Sequence, residues 1–407
     1  MYDILKRKNQ ALQADVLGFA QKLVQTPSLS LQEAELANLI QQELKKLAYD
    51  KVITDEAGNV LGIMLGRENA PTVMLLCHMD TMPVGAEKAW RQNPFSGEIK
   101  DGRLHGLGAG DCKGGLAAQL YVAALLKRTL LPLKGNLIFA ATVAQEKGGS
   151  AGVRALVEKT LPKLGLKPDY ALLGEPTDLG LYYGHDGWME LEIRLEGRNL
   201  FSVDDAARAV FQNLSSESNQ ADEQPEHSNA RPPRFDEQAG LRRAVIDMNR
   251  RLGQGEDPEF VLTQLQQQTK LLAESAGEVA VSVQVRQENQ RLYTGATTIV
   301  RHLTHAWAID PFHPLMERAR QTLAAAGAAV RPGKWQLGLL GMGTAGGVLA
   351  RDYGIPAIGY GPGNEQYIHA PNEYVETARV VECVYGTASI VHGLIGVPVF
   401  GWTSDDI

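Results

Sequence analysis

Apolar runs and helical patterns alternate along the first part of the chain. Continuous apolar runs predict strands that are buried on both faces of a sheet, at residues 60–65, 73–77, 136–143 and 170–173. Apolar residues at helical spacing predict helices at 10–24, 34–40, 116–126 and 151–161, the second of them opening at Ser30 through a Ser-x-x-Glu capping box. This order is typical of an α/β domain in which helices cover both faces of a mixed sheet.

The pattern changes near Trp188, where residues 189–195 alternate between polar and apolar as in a strand with one exposed face. Residues 215–234 carry almost no large apolar side chain, which predicts a polar loop or mobile insertion. The remaining patterns predict helices at 204–214, 241–252 and 259–273 and a strand at 278–285. Together these elements predict a smaller α+β lid of the ferredoxin-like type.

After residue 308 the patterns resemble the first part again, with helices predicted at 315–326 and 377–392 and a strand at 355–360. We therefore predict three segments: residues 1–187 and 308–407 form one discontinuous main domain, and residues 188–307 form the lid that interrupts it. A chain of 407 residues is long enough for two such cores.

Composition narrows the class of partner. The formal net charge is −7, and no basic run of the kind that follows a phosphate backbone is present, so nucleic acid is not an expected partner. The three cysteines are an odd number without CxxC spacing, which predicts reduced thiols. The N-terminus lacks the apolar segment of a signal peptide, and no apolar run reaches 18 residues. We expect a cytoplasmic protein without a membrane segment.

Candidate chemistry begins at the end of the strand 73–77, where His78 and Asp80 follow the apolar run. Residues two apart on a strand point the same way, so the Asp80 carboxylate is positioned to orient the His78 ring, as carboxylates do for metal-bound histidines. The alternative is a histidine that is simply satisfied at a strand end. Glu146 and Glu175 likewise follow predicted strands, and His369 lies in a turn-rich segment.

The glycine-rich stretch at 106–115 has two interpretations. Glycine loops before helices bind phosphates, but glycines at 106, 108 and 110 do not make GxGxxG, and Lys113 is followed by Gly114 instead of Ser or Thr. The alternative is a tightly bent backbone that projects Asp111 into a cleft. Asp111 then joins His78, Glu146, Glu175 and His369 in a set of oxygen and imidazole ligands that suits zinc, cobalt or manganese.

Five motifs in this order resemble the zinc-dependent amidohydrolases of the M20 metallopeptidase family, which includes deacetylases, desuccinylases and carboxypeptidases. They are His78-Met-Asp80 with Pro83, Gly108-Ala-Gly-Asp-Cys-Lys-Gly-Gly115, Glu146-Lys-Gly-Gly-Ser-Ala-Gly152, Glu175-Pro-Thr177 and His369-Ala-Pro-Asn-Glu373. The motifs span most of the predicted main domain, whereas the resemblance is weak across residues 199–305.

The resemblance implies two divalent metal ions, zinc or alternatively cobalt or manganese. Asp111 would bridge them, with His78 and Glu175 on one ion and Glu146 and His369 on the other. Asp80 would orient His78. The implied reaction is hydrolysis of an amide bond in an N-acyl amino acid or small peptide, through an activated water and a polarised carbonyl. A homodimer formed through the lid is also implied.

Two positions depart from the family pattern. The residue before Glu146 is the general-base glutamate in the family but Gln145 in this chain, and an amide cannot carry the proton. A glutamine introduced to trap substrate would give the same sequence. In the lid, Phe201 stands where the family has a histidine that reaches the substrate; His185, His302 or His305 could substitute, or each could be structural.

Two hypotheses follow from these residues. The first is a dinuclear metal-dependent hydrolase, in which lid residue Arg291 is a candidate for binding a substrate carboxylate, although an exposed arginine without that role is the alternative. The second is a metal-binding pseudoenzyme with a binding or regulatory role. Gln145, Phe201 and the polar segment 215–234 favour the second hypothesis, and the five ligand positions favour the first.

Overall fold

A nine-stranded mixed sheet forms the centre of the fold. In the computed structural model, which describes residues 1–147, 149–220, 228–340 and 342–397, strand Thr72–His78 lies between Asn136–Thr142 and Tyr170–Leu173 and runs parallel to both. The other strands of this sheet are Lys51–Thr54, Val60–Met64, Leu181–His185, Trp307–Ala308, Pro332–Trp335 and Ala357–Gly359. Because the three parallel strands end at one edge, the residues that follow them meet there.

Helices cover both faces of this central sheet, which confirms the predicted α/β architecture. All residues of strand Thr72–His78 are buried, with Val73, Leu75 and Cys77 in one core and Met74 and Leu76 in the other. One face carries the helices Tyr2–Gln25, Ala34–Lys46, Gly114–Arg128, Pro314–Ala325 and Thr377–Ile395. The other carries the helical segment 151–163 and the helix Gly346–Asp352. Burial on both sides explains why these strands read as continuous apolar runs.

A second, six-stranded sheet belongs to the lid and packs against two helices, as expected of an α+β unit. Its strands are Gly187–Gly197, Ser228–Ala230, Arg234–Gln238, Leu241–Leu252, Ala280–Val285 and Leu303–Thr304, and its helices are Leu200–Gln220 and Pro258–Glu274. A small sheet of Ile99–Lys100, Arg103–His105 and Tyr374–Glu376 lies beside the main sheet. The domain boundaries near residues 187 and 307 stay a prediction.

The prediction of a helix at 241–252 is wrong, because this segment is a long strand whose residues 242–252 pair with Gly187–Gly197. Its apolar residues fit both periods: Leu241, Val245, Met248 and Leu252 recur at helical spacing, whereas Ala244, Ile246, Met248 and Leu252 occupy alternate positions. The buried set is the alternating one. Both patterns fit the sequence about equally well, so pairing with the neighbouring strand determines that this segment forms a strand.

The polar loop predicted at 215–234 is also wrong for the residues that the structure describes; residues 221–227 lie outside them. The helix Leu200–Gln220 continues into this segment, and Ser228–Ala230 and Arg234–Gln238 pair with Leu241–Leu252. The side chains of Arg234–Gln238 are all exposed. Backbone hydrogen bonds alone can hold a short edge strand, so a lack of apolar side chains does not exclude one.

The helix predicted to open at Ser30 begins at Ala34, and its N-terminal residues make no side-chain cap. The three cysteines are free, as predicted, and all three are buried. Among the described residues, none of the helices combines the length and the apolar character needed to cross a membrane.

A hairpin of the lid reaches back to the main domain; we call residues 287–301 the strap. Leu292 at its tip is buried in the main-domain core. The hydroxyl of Tyr293 donates a hydrogen bond to the carbonyl of Gly58 at 2.9 Å. Gly58 has φ of +101°, and a Cβ at this position would lie 2.3 Å from the Tyr293 ring. The strap therefore joins the lid to the main domain through a close-packed contact.

We expect Tyr293→Phe to lower the free energy of unfolding by about 1 kcal/mol, because the Gly58 carbonyl loses its partner in a half-buried contact. Urea denaturation measures this change. Hydrogen exchange should show faster exchange of strap amides, whereas amides of strand Ala280–Val285 serve as an internal reference. Equal loss of protection in both segments would contradict a local role for the hydroxyl.

Candidate metal centre

The five predicted ligand side chains meet at the edge where the parallel strands of the central sheet end. His78 closes one strand, and Glu146 and Glu175 lie just beyond the ends of its two neighbours. Asp111 comes from the glycine-rich loop before the helix Gly114–Arg128, and His369 from the turn before Tyr374–Glu376. The fold thus delivers five side chains from distant parts of the chain to one place.

Asp111 lies at the centre of this group. Its Oδ1 is 3.1 Å from His78 Nε2, and its Oδ2 is 3.0 Å from His369 Nε2. Glu175 Oε2 is 3.7 Å from the same His78 nitrogen, and Glu146 Oε1 is 3.0 Å from the same His369 nitrogen. The two oxygens of one carboxylate therefore face two separate histidine–glutamate pairs.

The orientation of His78 is set by the main chain. Its Nδ1 lies 2.8 Å from the backbone carbonyl of Asp80 and 3.5 Å from the Asp80 carboxylate. The carbonyl can only accept, so Nδ1 carries the hydrogen and Nε2 is directed at Asp111 and Glu175. Asp80, the residue predicted to orient His78, therefore contacts the ring, but its backbone oxygen lies closer to the ring than its carboxylate does.

The Asp80 carboxylate has a second role that the sequence did not suggest. It accepts hydrogen bonds from Ser30 Oγ at 2.6 Å and from the backbone N–H groups of Gln145 at 3.1 Å and Glu146 at 2.9 Å. Ser30 is therefore used as a partner of Asp80 instead of a helix cap. These bonds hold the loop that presents Gln145 and Glu146 to the site.

The glycine-rich loop is occupied by a carboxylate that belongs to the chain itself. Glu373 accepts from the backbone N–H groups of Gly108, Gly110 and Asp111 at 2.9, 2.8 and 3.0 Å. These are the donors that a phosphate would need, so they are not available for a nucleotide. The sequence places Glu373 in a motif but indicates no role for it, which becomes evident from the geometry of the loop.

Close packing explains one of the glycines in this stretch. A Cβ on Gly115 would lie 1.8 Å from the carbonyl oxygen of Gly174. The helix that follows Asp111 therefore approaches the backbone just before Glu175 at a distance that only glycine permits. This contact supports the interpretation of the glycines as a means of positioning Asp111.

Burial and charge act against each other in the site. Burial raises the pKa of both Glu146 and Glu175, although nearby histidines partly offset the effect. Burial opposes the charge of Asp111 as well, but hydrogen bonds with His369 and His78 hold its pKa below the usual range. Burial would lower the pKa of His369, yet its bonds to Asp111 and Glu146 raise it to about 11. Three buried carboxylates thus depend on positive charge at the histidine nitrogens.

These residues fit two metal ions. The ligand atoms of His78, Asp111, Cys112 and Glu175 lie within 4.8 Å of one another, and so do those of Asp111, Glu146 and His369. The Cys112 thiol donates to the backbone carbonyl of His78, so oxygen and imidazole donors remain as the natural set. A metal ion in each group would take the place of the proton that lies between a histidine nitrogen and the carboxylates facing it.

Gln145 lies directly against one ligand. Its side-chain nitrogen donates to Glu175 Oε1 at 2.7 Å, which keeps the amide beside the metal-ligand group. Its side-chain oxygen is buried and has no hydrogen-bond partner among the described residues. The amide therefore offers one unused acceptor to whatever occupies the site.

A cleft of about 410 Å³ separates this loop from the lid, and residues of both line it. On the main-domain side lie Gln145 and Glu146; on the lid side lie Trp188, Glu190, Arg286, Glu288, Arg301 and His302. Arg291 is exposed on the strap beside Gly295 and is not among the residues lining this cleft. Its proposed role in binding substrate stays a prediction.

Phe201 stands at the position of the expected lid histidine, and three other histidines are its suggested substitutes. These four residues have different surroundings. Phe201 is 73% exposed near the start of the helix Leu200–Gln220. His185 is fully buried, and His305 lies 3.4 Å from the Asp352 carboxylate. Of these residues, His302 is the one that lines the cleft.

Comparison with known proteins agrees with this geometry. The model of peptidase family M20/M25/M40 matches residues 74–393, which is more than half of the chain. The chain belongs to this family. The uncharacterized protein YgeY of Escherichia coli is 27% identical over 409 aligned positions, covering 96% of each chain. Family membership and the candidate ligand groups together support a metal-dependent peptidase or amidohydrolase.

Solved structures show the same fold at low identity. The di-peptidase Dug1p of Saccharomyces cerevisiae superposes with a TM-score of 0.69 at 14% identity, covering 97% of this chain and 98% of Dug1p. The YXEP protein of Bacillus subtilis, described as a dinuclear metal binding peptidase, has a TM-score of 0.69 at 16% identity and coverage of 94% and 98%. The mixed sheet with flanking helices is therefore the M20 fold.

Metal stoichiometry tests the assignment of Asp111 as the shared ligand. We expect metal-free wild-type protein to bind two equivalents of zinc, His369→Gln to bind one, and Asp111→Asn to bind none with comparable affinity, because Asp111 is the member that the two groups of described residues share. Calorimetric titration and elemental analysis measure the ratios. His105→Gln, outside the site, is the matched control, and an Asp111→Asn protein that still binds two ions would refute the bridging role.

His185 predicts a pH dependence of stability. Its Nδ1–H donates to the Asp186 carbonyl, its Nε2 accepts from the Thr344 N–H, and burial lowers its pKa to about 4. The unfolded chain takes up this proton near pH 6.5, so the contribution is present above that pH and is lost as the pH falls towards 4. Between pH 7 and 5 we expect a loss of about 2 kcal/mol from this group.

Urea denaturation of the wild type and of His185→Gln at both pH values isolates this contribution, since other titrating groups are common to the two proteins. The loss on going from pH 7 to pH 5 should be about 2 kcal/mol smaller in the variant. An identical pH dependence in the two proteins would show that the buried ring does not control it.

Proposed function

We propose that this protein hydrolyses an amide bond in an N-acyl amino acid or a small peptide with the help of two divalent metal ions, zinc or alternatively cobalt or manganese. The observation that carries the proposal is the division of the Asp111 carboxylate between two histidine–glutamate pairs. The cleft beside it is large enough for a small substrate and is lined mainly by polar side chains. Such a site matches a reaction in which a carbonyl is polarised at a charged centre.

The side chains that would hold the ions are His78, Asp111, Glu146, Glu175 and His369. When bound, two ions of this kind polarise a carbonyl and lower the pKa of a water molecule. Gln145 would accept a hydrogen bond at its free side-chain oxygen, from the N–H of the substrate or from water. It can therefore orient a reactant, but it cannot carry a proton to the leaving amine.

A second function is a metal-binding pseudoenzyme with a binding or regulatory role. The contact that favours it is the 2.7 Å hydrogen bond from Gln145 to Glu175, because it gives the amide a stable place in the site without a proton-transfer role. This candidate shares the metal centre and the cleft with the first and differs only in turnover. The cytoplasmic location and the homodimer through the lid stay predictions under either function.

Replacing Gln145 by glutamate separates the two functions. With zinc, cobalt or manganese bound, we expect Gln145→Glu to hydrolyse N-acetyl and N-succinyl amino acids or dipeptides about 10²–10⁴-fold faster than the wild type, the usual contribution of a general base. Release of the free amino acid measures turnover. Slow but real wild-type turnover supports the hydrolase; a silent wild type with an active variant supports the pseudoenzyme.

Gln41→Glu is the matched control, since Gln41 lies on the helix Ala34–Lys46, where its amide donates to Thr54 Oγ1, and is not among the residues that line the cleft. It makes the same substitution without supplying a base at position 145, so its turnover should remain that of the wild type. If both glutamate variants and the wild type are inactive and none binds metal stoichiometrically, the proposed metal centre is wrong.

A further inference from the structure

One face of the strap is turned towards the main domain. In its first strand, Gln287–Arg291, alternate side chains are exposed, and Glu288 and Gln290 between them are partly buried. Leu292, two residues further on, is buried in the main-domain core. In the second strand of the strap, the buried residue is Val300, which pairs with Glu288. Because side chains two apart on a strand share a face, these residues form one row that faces the main domain.

Gln290 is the residue of this row that reaches the loop carrying Gln145 and Glu146. Its side-chain nitrogen donates to the backbone carbonyl of Lys147 at 2.9 Å and to the carboxylate of Glu288. Both partners are acceptors, so the nitrogen of the amide is the atom that faces them. Lys147 directly follows Glu146, and the bond therefore acts on the main chain one residue away from a candidate metal ligand.

This loop is held from both domains. From the main-domain side, the Asp80 carboxylate accepts hydrogen bonds from two of its backbone N–H groups. From the lid side, Gln290 donates to one of its backbone carbonyls. A Cβ on Gly149 would lie 3.1 Å from the Val300 side chain of the strap. The loop and the strap are thus in close contact beyond the hydrogen bond as well.

The base of the strap is fastened to the lid sheet. The N–H of Arg286 donates to the Glu190 carbonyl at 2.8 Å, and the N–H of His302 donates to the Arg286 carbonyl at 2.9 Å. The Arg286 guanidinium also pairs with the Glu190 carboxylate at 2.9 Å. The strap has its base on the lid and its tip in the main-domain core. A rotation of the lid must therefore either move the Lys147 carbonyl or break its bond to the strap.

We propose that Gln290 is a positioning residue that couples docking of the strap to metal binding at Glu146 and His369. The inference rests on the proposed function, since it requires the metal centre. Holding the Glu146 side chain in a ligand position also holds the loop whose carbonyl Gln290 binds. Coupling between two sites is reciprocal, so a docked strap strengthens metal binding by the factor by which bound metal stabilises the docked strap. Strap residues also line the cleft, which relates metal binding to the shape of the substrate site.

Zinc titration of Gln290→Met tests the coupling, because methionine has about the same length and lacks the donor. Starting from metal-free full-length protein, we expect one of the two zinc equivalents to bind about 3–10-fold more weakly than in the wild type, the scale of one hydrogen bond. The other equivalent should bind unchanged. In the His369→Gln background, where the Glu146 group has lost a ligand, Gln290→Met should have no further effect on zinc affinity.

Hydrogen exchange gives the reciprocal measurement. Zinc should slow the exchange of amides in residues 287–301 of the wild type by about 3–10-fold, relative to amides of strand Ala280–Val285. In Gln290→Met we expect this relative slowing to be lost. A residue that only stabilises the strap would change exchange to the same extent with and without zinc, so the zinc dependence identifies the coupling.

Gln284→Met is the matched control, since Gln284 is exposed on strand Ala280–Val285 and its amide also donates to a lid carboxylate, that of Glu192 at 3.1 Å. It should leave zinc affinity and the exchange of the strap unchanged. Gln290→Asn, which is too short to reach the Lys147 carbonyl, is a second variant with the same expected result as Gln290→Met.

Wild-type zinc affinity in both Gln290 variants would overturn the inference, as would an equal loss of affinity in Gln284→Met. In those cases the wild type still binds two ions, so the proposed metal centre stands. A wild-type protein that binds no zinc refutes the metal centre and the proposed function, and the inference fails with them.

Discussion

Several carboxylates are buried together at one edge of the central sheet, and the rest of the site depends on how their charges are compensated. Asp80, Asp111 and Glu175 are buried there almost completely, and so is Glu373. A buried charge without partners is too costly to retain, so each of these groups needs compensation. The chain compensates Asp80 and Glu373 with its own backbone N–H groups. It leaves Asp111, Glu146 and Glu175 to share two histidines, and this remaining imbalance is what a metal ion can correct.

Asp80 positions the residues around the metal centre through contacts that do not depend on the side chain at position 145. Its carboxylate binds the N–H groups of Gln145 and Glu146 through their backbone, so the loop is held whatever side chain occupies position 145. Its backbone carbonyl fixes the His78 ring. A change from glutamate to glutamine at position 145 therefore leaves these backbone hydrogen bonds in place, although it removes the capacity to move a proton.

The sequence predicts the parts of the site that lie next to strand ends, because a continuous apolar run followed by a charged residue has one simple interpretation in an α/β fold. His78, Glu146 and Glu175 are of this kind. It does not predict contacts made by backbone groups, such as the three N–H donors around Glu373. It also fails where two periods fit one segment, as at Leu241–Leu252, since the pairing partner is distant in the chain. The role of Ser30 belongs to the same class, because Asp80 is 50 residues away.

Gln145 has a physical advantage that explains how the site can keep it. A glutamate in the same position would place a second carboxylate about where the amide nitrogen now lies, 2.7 Å from Glu175 Oε1. Two carboxylates at that distance cannot both be ionised unless a cation lies between them. The amide replaces this repulsion by a hydrogen bond and so stabilises the metal-free centre. A glutamate at this position would gain a proton acceptor at the cost of that stability, which is the usual conflict between an active site and the fold that holds it. In this chain the residue at position 145 favours the stability of the metal-free centre over the capacity to accept a proton.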